Sequence, residues 1–336
     1  MKPFYKETIQ ESWRLATSKR YLWPLGLLAS LLGLSTTFRI IFDLQGTDGS
    51  AAEVLSSLVS NNFMIDTFVG WSQAFSRIPW AELEITDIPL LGLIMLLFAI
   101  IILLVIVTVS AQAGLFKALE QTYLGKKTDF FLSFGLGVSY FWEVFIFNFF
   151  YAVLYLFFAA GIIVPLIQLA ATGVVVTKFW LSIITFFILI PALIVLDIVV
   201  RYAILNAVLL KKDLFKAWDQ AWVFFKQNWL ISIETSVFIL LLLMMYAVAV
   251  QYILLPLIII ILGYFSGLLP EGAAQTFSFN VMQVIIYAVI ASSFILFTIF
   301  YHAVWTKIFL RLQSEPHLSK VERSTKHFSW LHRNLF

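Results

Sequence analysis

Cysteine is absent from this chain of 336 residues, which excludes a disulfide framework, a thiol nucleophile and any Cys-based metal site. Charge is scarce as well. Asp, Glu, Lys and Arg make up 12% of the residues, where a soluble domain carries about 25%, so a water-facing shell cannot be built around a chain of this length. Catalytic signatures are also missing: there is no phosphate-binding Gly-rich loop, no His-Glu-x-x-His zinc motif and no nucleophile elbow. Three of the four histidines (His317, His327 and His332) fall among basic residues near the C-terminus. That is the pattern of a solvated basic segment, and neither a metal nor a cofactor is expected. What fills the chain instead is apolar: 61% of residues, with 34 Phe and 11 Trp.

Those apolar residues fall into runs long enough to cross a bilayer, which takes about 20 residues of helix. Six spans are expected, at 21–42, 90–111, 140–165, 179–205, 229–256 and 281–310. Residues 3–18 precede the first of them as a basic, aromatic, amphipathic helix of the kind that lies in the membrane interface. No A-x-A-like cleavage site follows, so the first run reads as a retained span. Between spans one and two, the loop 43–88 is polar, with short amphipathic helices expected near 51–60 and 62–77. Pro165, Pro191 and Pro256 are expected to end or kink the spans that contain them. The tail 311–336 is polar and basic.

The distribution of Lys and Arg sets an orientation. Residues 1–20 hold five, the connector 112–139 three, the connector 206–228 four, and the chain from Lys307 onward six, together 18 of the 22. The loop 43–88 holds Arg77 alone against seven acids. The positive-inside rule therefore places both termini in the cytoplasm and the protein in the cell membrane. Anionic headgroups at the cytoplasmic face are the expected partners of the basic segments. The acidic loop 43–88 is a candidate contact for a protein partner. Nucleic acid is not expected, because the basic residues of the tail are spread too thinly.

Three stretches can be laid over one another: ESWRLATSKRYLWPLGLL, LSFGLGVSYFWEVFIF and KAWDQAWVFFKQNWLISI. Each has a small residue (Ser12, Ser133, Ala217) followed by an aromatic, and a Trp eight to eleven positions later at the mouth of a span. Trp prefers the headgroup layer and Lys and Arg seek phosphates. Each stretch therefore reads as an elbow: an interfacial helix, a turn, then a spanning helix. Trp13, Trp23, Trp142, Trp218, Trp222 and Trp229 are the interfacial anchors. The expected fold is an all-α polytopic bundle of three elbow-plus-hairpin units.

The run RYAILNAVLLKKDLFKAWDQAWVFFKQNW, together with the opening ESWRLATSKRYLWPLGLLASLLG, resembles bacterial six-helix integral membrane families. These are related to the membrane domain attached to some glycerophosphodiester phosphodiesterases. The catalytic barrel with its paired Glu and His ligands is absent, so the resemblance implies architecture and a broad link to membrane maintenance or transport, not the phosphodiesterase activity.

Charges inside the spans are the remaining leads, since each is costly in lipid. Asp197 and Arg201, four apart on span four, share a helix face. Glu234 on span five and Glu143 on span three lie toward the same side, and the four form a candidate intramembrane polar cluster. Such a cluster could relay a proton, bind an anion at Arg201, or be a structural ion pair with glutamates at headgroup level. The expected function is non-enzymatic, transporter-like or membrane-organising. The alternatives are a membrane-embedded enzyme acting on lipid headgroups, or a scaffold subunit.

Overall fold

The computed structural model describes residues 4–31, 88–171, 190–254 and 273–314, with a few isolated positions between these segments. Every element is helical: α1 (Phe4–Ser18), α2 (Leu22–Leu31), α3 (Ile88–Tyr123), α4 (Phe130–Ser139), α5 (Phe141–Ala171), α6 (Ile190–Leu210), α7 (Leu214–Ala249) and α8 (Ala273–Ser314). Four of these contain stretches long and apolar enough to cross a membrane: Ile94–Tyr123, Pro191–Leu210, Leu214–Tyr246 and Ala291–Ser314. The bent pair α4–α5 makes a fifth if counted as one span. The chain is a helical, multi-pass membrane protein. The far part of the expected first span, the loop 43–87 with the two short helices expected there, the opening of the expected fourth span and the tail from 315 lie outside the described residues.

Several helices outrun the spans expected of them. α3 continues from the apolar run through 112–123, because that stretch contains no proline and places Ala, Leu and Phe with Lys117 and Glu120 at helical spacing, its one glycine, Gly114, being packed against Ser133. It stops at Gly125, whose φ of +71° lets the chain turn away. α5 runs past Pro165 to Ala171. α7 passes into a π-helical turn, Val250–Leu254, ahead of Pro256. A proline has no N–H and crowds the carbonyl four residues earlier, so a register widened by one residue is a physical way to reach it.

All three expected elbows contain a break. Lys19–Tyr21 separate α1 from α2, with backbone bonds from Leu22 N to Lys19 O and from Trp23 N to Arg20 O. α4 and α5 meet at Tyr140 with a bend of 67°. α4 is capped at its start by Asp129, whose carboxylate accepts from Leu132 N at 2.8 Å. In α7 the break is Asn228, at φ −124° and ψ 22°. Asn228 donates to Phe224 O at 3.0 Å and its own carbonyl accepts from Ser232 Oγ at 2.8 Å. Both side-chain bonds thus reach carbonyls at the kink.

The core lies at the elbow end of the bundle. Residues 109–119 of α3, 198–209 of α6 and 299–312 of α8 are mostly buried. The opposite half of α3, from Met95 to Leu104, is an almost unbroken row of exposed apolar side chains, as lipid-facing helix should be. Each elbow helix turns small residues at i and i+4 into this core. These are Ser12 and Ala16, Ser133 and Gly137, and Ala217 and Ala221, all buried. Small residues let helix backbones approach closely. The approach is tightest between α4 and α3: a Cβ placed on Gly137 would sit 2.1 Å from Ser110 O, and one on Gly114 2.7 Å from Ser133 O.

The partners of the three elbow helices follow one pattern. α4 packs on α3, the N-terminal half of α7 on α6, and α1 on α8. In the second of these Asn206 donates to Ala217 O at 3.3 Å and the Tyr202 ring meets Phe224 edge-on at 4.9 Å. In the third Trp13 meets Phe300 edge-on at 5.9 Å. α2 also lies on α8, closely enough that Gly26 faces Ile299 with no room for a side chain.

Candidate functional site

Asp197 and Arg201 sit one turn apart on α6, and the carboxylate takes both arms of the guanidinium. Arg201 Nε reaches Oδ2 and Nη2 reaches Oδ1, each at 2.7 Å. This is the bidentate geometry that makes Arg–carboxylate pairs strong. α8 supplies a roof: the guanidinium carbon stands 4.5 Å from the centre of the Tyr301 ring and 5.8 Å from that of Trp305, within range of a cation–π contact. Carboxylate and rings together leave the arginine a local counter-charge and two aromatic faces inside the bundle. Both side chains remain partly accessible, at 23% for Arg201 and 31% for Asp197.

Glu234, on the spanning part of α7, is engaged from another direction. Tyr5 of α1 donates its hydroxyl to Oε2 at 2.9 Å across 229 positions of sequence. Burial, followed by the adjacent Glu234, holds the Tyr5 phenol well above its ordinary pKa, so it stays a donor throughout the physiological range. Two residues before Glu234, α7 is tied to α6 by Tyr202 and Ser232, whose hydroxyls lie 2.7 Å apart. Glu143, in the first turn of α5, is half-buried and its side chain makes no ion pair or hydrogen bond among the described residues. Two of the four expected cluster members are therefore directly bonded to each other. A third is held by α1, a partner that periodicity within α7 could not reveal.

The tryptophans divide by role. Trp13, Trp23, Trp142 and Trp229 are 40% or more exposed. Of these, Trp23 donates Nε1 to Ala16 O at 3.0 Å and so clamps the first elbow. Trp222 is exposed beneath the Lys226 ammonium, 5.3 Å from its ring centre. Trp218 instead turns inward, stacked on Phe147 and edge-on to Phe150 at 5.2 Å. It is a packing residue between the third elbow and α5. The most exposed elbow aromatics are two that carried no signal in the sequence, Phe131 at 83% and Phe215 at 90%.

Two clefts open at the elbow end. One, of about 520 Å³, runs between α1 and the end of α8, with Glu7 and Glu11 on one side and Lys307 and Arg311 on the other. Lys307 bonds Glu11, and Arg311 approaches Glu7 at 3.4 Å. The other, of about 270 Å³, lies between α6, the third elbow and α8, and its polar groups are the amides of Asn206, Gln220, Gln227 and Gln313. Neither cleft contains any of the four expected cluster residues. Among the described residues no group of three or more His, Asp or Glu side chains is arranged to hold a metal. His302 is buried, with Nδ1 2.8 Å from Thr298 O and its ring against Phe116.

No protein-family model, curated protein or solved structure matches this chain.

Proposed function

We propose that the chain is a six-span protein of the cell membrane that organises the lipid around its cytoplasmic face and carries out no bond-making chemistry. One observation carries this reading. The three elbow helices are packed into the core by paired small residues while each keeps a large aromatic exposed, Trp13, Phe131 and Phe215. Helices held this firmly present fixed aromatic and basic groups to headgroups at a set depth. The breaks at 19–21, 140 and 228 support three elbow-plus-hairpin units, and the Lys and Arg distribution supports elbows and termini on the cytoplasmic side. The resemblance to bacterial six-helix membrane domains belongs to the same proposal.

A transporter or headgroup enzyme working through Asp197, Arg201, Glu234 and Glu143 would draw them around one water-filled space. The bidentate pairing of Asp197 with Arg201 and the engagement of Glu234 by Tyr5 favour a structural role for these groups instead.

The test is lipid selectivity in proteoliposomes, read from spin-labelled phosphatidylglycerol and phosphatidylcholine. Each basic residue close to an anionic surface contributes about 1 kcal/mol, roughly fivefold. Phosphatidylglycerol should therefore be enriched severalfold in the motionally restricted shell, and the preference should fade at high salt. The neutral pair D197N/R201Q should keep it. Equal association of the two lipids, or a solute flux that this double variant abolishes, would overturn the proposal.

A further inference from the structure

We propose that α4 is a wedge set into the leaflet on the elbow side, its uncharged face among the glycerol and upper acyl chains, and that it draws the protein to membrane bulging toward that side. The placement of the elbow end at headgroup depth rests on the reading above. The separation of the second elbow from the other two is new, because α4 alone among them holds no charge.

All ten residues of α4, FFLSFGLGVS, are uncharged. α1 carries Lys6, Glu7, Glu11 and Arg14, and the N-terminal half of α7 carries Lys216, Asp219 and Lys226, charges that favour the headgroup layer. The outward residues of α4 are Phe131, Leu132, Gly135, Val138 and Ser139, whose spacing makes a single helix face. Its one polar side chain, Ser139, donates back to Leu136 O at 2.7 Å. The helix start is capped by Asp129, and at its end Tyr140 N donates to Gly137 O at 3.1 Å. A face that offers water no free polar side chain, on a helix capped at both ends, suits hydrocarbon.

The depth of α4 is bounded at both ends. Lys126, Lys127 and Asp129 precede it and Trp142 and Glu143 follow it, so the chain enters and leaves at headgroup level. α4 is bent 67° from α5. With α5 spanning at the usual tilt of about 20°, α4 lies nearer the membrane plane than its normal. A helix of this length measures about 15 Å by 10–12 Å, and all of that cross-section falls in one leaflet. Apolar helix faces lying in the interface bury about 5–10 Å into the boundary between headgroups and acyl chains.

A spanning helix occupies both leaflets equally, whereas α4 adds area to one alone. Membrane bulging toward the elbow side spreads the headgroups of that leaflet and opens room for the wedge, so the protein is more stable there than in a flat sheet. A wedge must also be rigid, or it would lift out instead of following the bilayer. That rigidity comes from the close approach of α4 to α3, where Gly114 and Gly137 leave no space for a side chain.

The experiment uses giant vesicles of phosphatidylcholine and phosphatidylglycerol holding the full chain as S18C, an exposed position. An impermeant dye labels only the copies with the elbow end outside. Thin tethers are pulled outward, and dye per lipid in the tether is compared with that in the vesicle. Severalfold enrichment in the tether is expected. F131S/L132S, which removes apolar surface from the outward face alone, should bring it close to equal density, and V138F should raise it. No enrichment, or the same enrichment with and without these substitutions, overturns the wedge. A nitroxide on G135C, where a side chain meets nothing within 4 Å, reads depth in parallel. Its collisions with oxygen should outnumber those with a water-soluble nickel chelate. The reverse would put α4 in water, and protection from both would mean that protein, such as a second copy, covers the face; either overturns the wedge. F131S/L132S should leave phosphatidylglycerol enrichment unchanged, since α4 has no charge. If the unsubstituted chain shows tether sorting without phosphatidylglycerol enrichment, the reading above fails alone; if it shows enrichment without sorting, this inference fails alone.

Discussion

At the scale of single residues, two side chains carry opposite lessons. Lys211 ends α6 at φ 54°, a left-handed conformation that costs a non-glycine residue about 1 kcal/mol. Lys212 N then reaches back to Asn206 O at 3.4 Å. α3 reaches the same kind of ending with a glycine, Gly125. A lysine at Lys211 is explained by its charge on the basic side, not by its backbone. K211G should therefore raise stability in a thermal melt by about 0.5–1 kcal/mol while reducing phosphatidylglycerol enrichment. Tyr5 is the second case. Removing its hydroxyl in Y5F should cost on the order of 1–2 kcal/mol, as for a hydrogen bond to a carboxyl group, and should speed hydrogen exchange in α1. Because the fold raises the Tyr5 pKa, its neutral form is the one that folding favours. That contribution is complete below the ordinary phenol range near 10 and is lost only as pH rises through the higher folded value. The protection of the α1 amides, read relative to the base-catalysed exchange of an unfolded chain, should accordingly be flat from neutral pH to the start of that range.

At the scale of elements, the breaks of the three elbows were legible in the sequence, because each falls where an aromatic, amphipathic stretch runs into a long apolar one. The docking of those elbows was not. Ala16, Gly137 and Ala221 have no strong hydropathy and no charge, so the second small residue of each pair left no signal, although it governs how closely the helices approach. The same blindness explains why Trp218 looked like a lipid anchor: its chemistry suits an interface, and only the position of α5 shows that it packs inward. α4 offers a paired test of close approach. G137A drives a Cβ against the backbone oxygen of Ser110, which cannot move alone, and should destabilise by about 2 kcal/mol or more. G135A, whose Cβ meets nothing within 4 Å, should be neutral or gain up to about 1 kcal/mol from helix propensity. Equal melting temperatures for the two variants would contradict the packing described. The kink at Asn228 is open to spectroscopy, because a chain without cysteine can be labelled at will. Spin labels at positions 216 and 240 should move apart in N228A if the side-chain bond to Phe224 O helps hold the bend.

At the scale of the whole molecule, the charge count proposes an orientation that the packing alone does not supply. A cysteine at Ser60 should be labelled only from outside the cell and one at Lys126 only from the cytoplasm; the reverse pattern would overturn the proposed topology. The contacts add something the order of segments could not show. The first elbow belongs spatially with α8, since Glu11 bonds Lys307 across 296 positions of sequence. This gives the protein a timetable. At about 5–20 residues per second of synthesis, α1 waits roughly 15 to 60 s for the helix that will receive it, and its polar groups must meanwhile rest in water or headgroups. A nascent chain interrupted before Lys307 therefore leaves its own first helix undocked and within reach of a membrane protease. Truncation after residue 300 should render residues 4–18 cleavable while the full-length chain resists, so the arrival of α8 would act as the check that releases α1 from exposure.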